Sequence, residues 1–154
     1  MLELEYKRSV ADALRTMGWD IEEHEDKVRN FIPDLSFGAH GFDGWIEVKF
    51  ADQVPKTGLR SIKHYTKGQE DWLIDRARAG SGHCYLLLGT GAGHYAWRAE
   101  SLRKARAGTY IAAQSLCCCR VPAPAEYTLP IAECLNALLL CAAHPKRASE
   151  GTRS

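Results

Sequence analysis

Ile32-Pro33-Asp34-Leu35-Ser36-Phe37 and Gly44-Trp45-Ile46-Glu47-Val48-Lys49-Phe50 are the two runs whose reading decides the fold of this chain. Both read as short strands bounded by turn residues, with Gly38, Gly41 and Gly44 punctuating the interval between them. Paired as a hairpin, they set side chains alternately on two faces. Glu47 and Lys49 then share one side, while Ile46, Val48 and Phe50 share the other. A register that brings Asp34 level with Glu47 gathers two carboxylates and an ammonium in one place. Such a group suits Mg²⁺, a hard ion that takes one or two carboxylates and keeps several waters. A metal there neutralises charge on a phosphate and lowers the pKa of a bound water from about 15.7 towards 7. Lys49 then orients that water or stabilises a pentavalent transition state. Glu and Lys alternating along a strand also describe the ordinary wet face of an antiparallel sheet, and the tripeptide alone leaves both readings open.

Outward from these runs, residues 1 to 17 read as an amphipathic helix with Leu4, Val10, Ala11, Leu14 and Met17 near one stripe. Trp19 to Glu25 reads as a first strand, joining Phe31 to Phe37 and Trp45 to Phe50 in a sheet. A helix from about Lys67 to Arg78 leads to an apolar strand, Cys84 to Gly89, which a crossover should set parallel to the strand carrying Glu47. His94 to Trp97 reads as its hairpin partner. The Gly89-Thr90-Gly91-Ala92-Gly93 run between them lacks the Gly-Lys-Ser/Thr ending of a phosphate loop and reads as a turn. The path predicts an α/β fold, a mixed sheet flanked by helices. Thr109 to Val121 reads as a further strand or strand pair, Pro122 to Pro130 as a linker, and Ile131 to Ala143 as an apolar helix too short to span a bilayer. That helix either closes the core or pairs with a second subunit. Residues 1–107 thus form a core, 108–144 a C-terminal extension, and the polar tail from Pro145 to Ser154 should be disordered.

With 154 residues and a formal charge of +1, the chain fits one ordinary domain and carries no global basicity. Affinity for nucleic acid must therefore be local. Val54 to Lys67 holds Lys56, Arg60, Lys63, His64 and Lys67 without an acid, and its Pro and Gly content predicts a loop over the site. Arg98, Arg103, Lys104 and Arg106 form a second cluster, readable as phosphate contacts or as solvated surface. The chain opens Met-Leu-Glu-Leu-Glu with no secretory pattern, which predicts reduced thiols and a cytoplasmic setting. Cys117-Cys118-Cys119 does not have the Cys-x2-Cys form of a zinc knuckle. Weaker options are a metal held with Cys134, Cys141 or His144, and a nucleophile built from Cys84 with His83 or His94.

Pro33-Asp34, Glu47 and Lys49 resemble the signature of the PD-(D/E)xK nuclease superfamily. Lys63-His64-Tyr65-Thr66-Lys67-Gly68-Gln69-Glu70-Asp71-Trp72-Leu73, followed by Arg78-Ala79-Gly80 and Cys84-Tyr85-Leu86-Leu87-Leu88, narrows the match. It is similar to the Thr-x-x-Gln-x-x-Trp-Leu helix and fourth strand of VRR-NUC-like and phage Holliday-junction-resolvase-like members, over roughly residues 3 to 100. The resemblance implies a restriction-endonuclease-like core with Asp34 and Glu47 as metal ligands and the Val48 carbonyl as an extra one. It also implies Lys49 beside the attacking water and Gln69 facing the site. The superfamily adds an acid from the first helix. Glu3 shares the inward row with Lys7, Val10 and Leu14 and is the candidate, although a first-turn Glu favoured by the helix dipole is the alternative. The implied protein is a Mg²⁺-dependent endonuclease, with Mn²⁺ as substitute. Its substrate would be branched or flapped DNA in a bacterial or phage-infected cell, and it would act as a homodimer if it resolves junctions. Two other classes stay open: a catalytically silent nucleic-acid-binding module on this scaffold, and an interaction protein whose charged strand face is simply wet.

Overall fold

A computed structural model describes residues 1–25, 31–53, 55–80 and 82–145. Val54, the first residue of the basic segment, and the tail from residue 146 lie outside the described residues, and with them the expectation of a disordered tail. In chain order the elements are α1 (Glu3–Thr16), β1 (Asp20–Glu23), β2 (Leu35–Ala39), β3 (Phe42–Phe50), α2 (Lys67–Ala79), β4 (His83–Gly89), β5 (His94–Arg98), α3 (Leu102–Ala107), α4 (Tyr110–Ser115), β6 (Cys119–Val121) and α5 (Leu129–Ala143). Among the described residues six strands form one sheet, in the order β1-β2-β3-β4-β5-β6. Only β3 and β4 run parallel, and every other neighbouring pair is antiparallel. This is the mixed α/β sheet that the sequence predicts.

The β2–β3 hairpin closes with Ala39 opposite Phe42, so its loop is His40-Gly41. Both residues have positive φ, 53° and 83°, as the right-handed twist of a two-residue hairpin requires. Only Gly41 of the three expected punctuating glycines serves the turn. Gly38 and Gly44 lie inside strands, and a Cβ on Gly44 would collide with the Phe37 ring and the His83 carbonyl.

Helices cover both faces. On one, Tyr6, Val10 and Leu14 of α1 and Ile131, Leu135 and Leu139 of α5 pack on Leu35, Phe37, Ile46 and Val48. On the other, Leu73 and Ile74 of α2, Leu102 of α3 and Ala113 of α4 pack on Cys84, Leu86, Leu88 and Trp97. β4, covered from both sides, is buried along its whole length, which accounts for its unbroken apolar run.

Two expectations need correction. Leu4, placed on the inward stripe of α1, is 45% exposed, and Tyr6 is buried in the core instead. Of the strand or strand pair expected over Thr109 to Val121, only Cys119–Val121 is strand. Thr109 caps α4 by accepting a hydrogen bond from the Ala112 N–H at 3.3 Å, so the Ala-Ala-Gln stretch takes the helical course its propensity favours. α5 packs on the core against α1, as the first of its two alternatives has it, with Leu129 and Leu140 left exposed. Among the described residues no helix is long and apolar enough to cross a membrane.

Candidate active site

β3 is longer than β2, and the site lies where they part. Pairing stops at Leu35 opposite Ile46, so one step further the same register brings Asp34 level with Glu47. Beyond that point β3 stays paired with β4 but has lost β2, and the N–H groups on that side need other acceptors. The Asp34 carboxylate takes the Val48 N–H at 2.9 Å. The Glu3 carboxylate of α1 takes the Phe50 N–H at 3.3 Å. Because the N–H and C=O of one strand residue point to the same side, the Val48 carbonyl faces the same gap.

Glu47 and Lys49 point to the face covered by α2, opposite Ile46 and Val48, which belong to the α1/α5 core. They are 2% and 3% exposed, so the reading of Glu-x-Lys as a wet strand face fails. Lys49 Nζ lies 3.2 Å from Glu47 Oε1, and Gln69 Nε2 donates to the same oxygen at 3.3 Å. The other oxygen, Oε2, is buried and has no hydrogen-bond partner. Burial, then the charge of Asp34, pushes the Glu47 carboxyl up from 4.5 to about 8, against the opposing pull of Lys49.

Gln69 is aimed by the helix it starts. Thr66 Oγ1 accepts the Gln69 N–H at 3.2 Å, and Gln69 Oε1 accepts the Thr66 N–H at 3.0 Å. This reciprocal cap occupies the amide oxygen and leaves the NH₂ group free for Glu47. Next along α2, Glu70 is buried, accepts the Tyr65 hydroxyl at 3.0 Å and lies 3.8 Å from the Arg106 guanidinium. Arg106, counted in sequence with a basic surface cluster, is thus turned inward, its guanidinium 5.7 Å from the centre of the Tyr65 ring. Arg103 of the same cluster lies 3.7 Å from Asp71.

The structure therefore brings together Asp34, Glu47, Lys49 and Gln69 and places Glu3 along the same strand edge. Lys56, Arg60, Lys63, His64 and Lys67 are all exposed on the stretch leading into α2. That stretch is not a free loop, since Leu59, Ile62 and Tyr65 anchor it in the α2-side core. Two elements escaped the sequence reading. The Thr66-x-x-Gln69 cap was legible as a capping-box spacing. Lys7, 8% exposed on α1, has its Nζ 4.0 Å from Asp34 Oδ1; only its place on the inward row hinted at it.

A hard divalent ion takes one or two carboxylates and keeps several waters, and the Asp34 and Glu47 carboxyl groups, with one Glu47 oxygen left without a hydrogen bond, are donors of that kind. No cluster of three or more His, Cys, Asp or Glu able to hold a metal is found among the described residues, either at the Asp34/Glu47 pair or in the cysteine-rich segment. Cys84 is buried, and burial pushes its thiol up to about 11, away from the thiolate form that a nucleophile needs. His83 is engaged by the Tyr85 hydroxyl at 2.9 Å and His94 by that of Tyr6 at 2.8 Å.

No family model matches the chain, and no curated protein matches it. Among solved structures it is similar to Hjc, a Holliday junction resolvase from the archaeal hyperthermophile Archaeoglobus fulgidus. The identity is 17% and the TM-score 0.49, over 64% of this chain and 73% of that one.

Proposed function

We propose that this chain is a Mg²⁺-dependent endonuclease that hydrolyses DNA phosphodiester bonds, with branched or flapped duplex as its substrate. The observation that carries this reading is Glu47. A carboxyl group buried to 2% exposure, with one oxygen unpartnered and a second carboxylate beside it, otherwise keeps its proton up to about pH 8, and a bound cation is what would hold it ionised at neutral pH. Asp34, Glu47 and the Val48 carbonyl would hold that cation, and Mn²⁺ would substitute for Mg²⁺. When bound, it offsets charge on the scissile phosphate and acidifies a coordinated water.

The chain's own groups do the rest. Lys49, fixed by Glu47 at 3.2 Å, carries its charge at the mouth of the acidic pair, where it orients water and stabilises negative charge developing on phosphate. Gln69, locked by its cap, holds the Glu47 oxygen nearest Lys49. Lys56, Arg60, Lys63, His64 and Lys67 supply an exposed, mostly cationic approach for a phosphate backbone, so binding should weaken steeply with salt. Glu3 enters as the group that ties the end of β3 to α1.

Lys49→Ala tests the reading: it should keep DNA binding at low salt and abolish cleavage, and equal turnover in that variant contradicts it. A wild-type protein that binds DNA yet cuts none in Mg²⁺ or Mn²⁺ would instead be the silent binding module.

A further inference from the structure

We propose that Lys7 is a positioning residue that stands in for a second divalent cation and confines the Asp34/Glu47 site to a single metal ion. The inference rests on the nuclease reading for what the ion does, but not for how many ions bind.

Lys7 occupies an uncommon position. Lysine is rarely buried unless paired, and this one, on α1, is 8% exposed with its ammonium 4.0 Å from Asp34 Oδ1. The Asp34 carboxylate is thereby held from two directions, by the Val48 N–H at 2.9 Å on one oxygen and by Lys7 on the other. Lys49 lies 3.2 Å from Glu47 in the same way. With both carboxyl groups ionised, the two acids and two ammonium groups cancel. One divalent cation then gives the site a net charge of +2, suited to a phosphodiester. A second would raise it to +4.

Two-metal centres hold their ions about 3.5 to 4 Å apart, which demands further carboxylates to offset their mutual repulsion. None is gathered: the acids of the site are Asp34 and Glu47, and among the described residues no third acidic, histidine or cysteine side chain joins them in a metal-holding group. Glu3, one turn before Lys7, is committed to the Phe50 N–H. On the α1 side of Asp34, where another ion would need a ligand, the chain has placed an ammonium.

The test is calorimetric titration of the intact protein with Mn²⁺ and no DNA. Wild type should bind one ion. Lys7→Met, which removes the charge and keeps the length of the side chain, should bind one ion about tenfold more tightly or better, because a unit positive charge beside the ion is gone. Lys7→Glu should bind two. A lysine that only shaped the structure predicts the opposite sign, weaker binding on its removal. Thermal melting in EDTA establishes that each variant is folded, and the wild-type ion count needs no variant. Zero or two ions in wild type, or unchanged or weakened binding in folded Lys7→Met, would overturn the proposal. One ion bound tightly by a protein that cuts no DNA would sink the nuclease reading and leave this one standing. Two ions with intact cleavage would do the reverse.

Discussion

Strand β3 presents Ile46 and Val48 to α1 and α5 on one face, and Glu47 and Lys49 to α2 on the other. Neighbouring residues of one strand are thus buried to the same degree for opposite reasons. On the α1/α5 face burial stabilises, at roughly 25 cal/mol per Å² of apolar surface. On the α2 face it places a carboxylate and an ammonium out of water, where an ion pair seldom repays its desolvation. Under the proposed function, these charges are kept for the ion and the phosphate. The comparison can be broken or sharpened by experiments on adjacent residues.

The largest contrast should come from Glu47→Gln. The change is nearly isosteric, so cleavage should fall by at least about 100-fold, on the scale of losing one preorganised electrostatic group. The same variant should melt higher than wild type in EDTA near pH 8, because the buried charge is gone. Ile46→Ala, one residue away on the other face, should do the reverse. It should lose about 2 to 5 kcal/mol of stability with turnover per folded molecule unchanged, as read by denaturant melts alongside cleavage rates. If both variants lose activity and stability in parallel, the division between the faces is wrong.

A smaller effect is set by pH. Glu47 binds its proton more tightly folded than unfolded, with its carboxyl moved from 4.5 to about 8. Its contribution to stability is therefore fully present below pH 4.5 and is lost as pH rises through 8. The loss should be at most about 1.4 kcal/mol per pH unit. Melting curves of metal-free protein across that window should show the decline in wild type and not in Glu47→Gln, and saturating Mg²⁺ should remove it. The smallest effect is expected at the cap. Thr66→Ala should cost about 1 kcal/mol of stability and lower cleavage more than that loss explains, since Gln69 is no longer aimed at Glu47. A cleavage rate equal to wild type would detach Gln69 from the chemistry.

What the sequence made legible was whatever depends on strand periodicity. A period of two sets Glu47 and Lys49 on one side, and the apolar run of β4 marks a strand covered on both faces. The position of Asp34 followed from pairing two short runs. Hidden were the facts that depend on chain packing at a distance. Whether a charged strand face is wet or buried is decided by α2, whose own pattern does not announce what it covers. The contact of Lys7 with Asp34 joins residues far apart in the chain, and only the place of Lys7 on the inward row of its helix hints at it. Over Thr109 to Ser115 the Thr109 cap and helix-forming Ala and Gln compete with the β-branched character of Ile111, and the cap prevails. Gly44 suggests a turn by composition, yet its place inside β3 is fixed by the Phe37 ring and the His83 carbonyl.

The central claim, that Asp34 and Glu47 hold a divalent cation against a DNA backbone, is tested most directly by one incubation series. Purified protein is mixed with four-way junction, flap, single-stranded and linear duplex DNA, with and without Mg²⁺, beside Asp34→Ala. Cleavage of the branched or flapped forms that requires Mg²⁺ and disappears in Asp34→Ala is the predicted result. Cleavage that persists in EDTA, or is undiminished in Asp34→Ala, would contradict it.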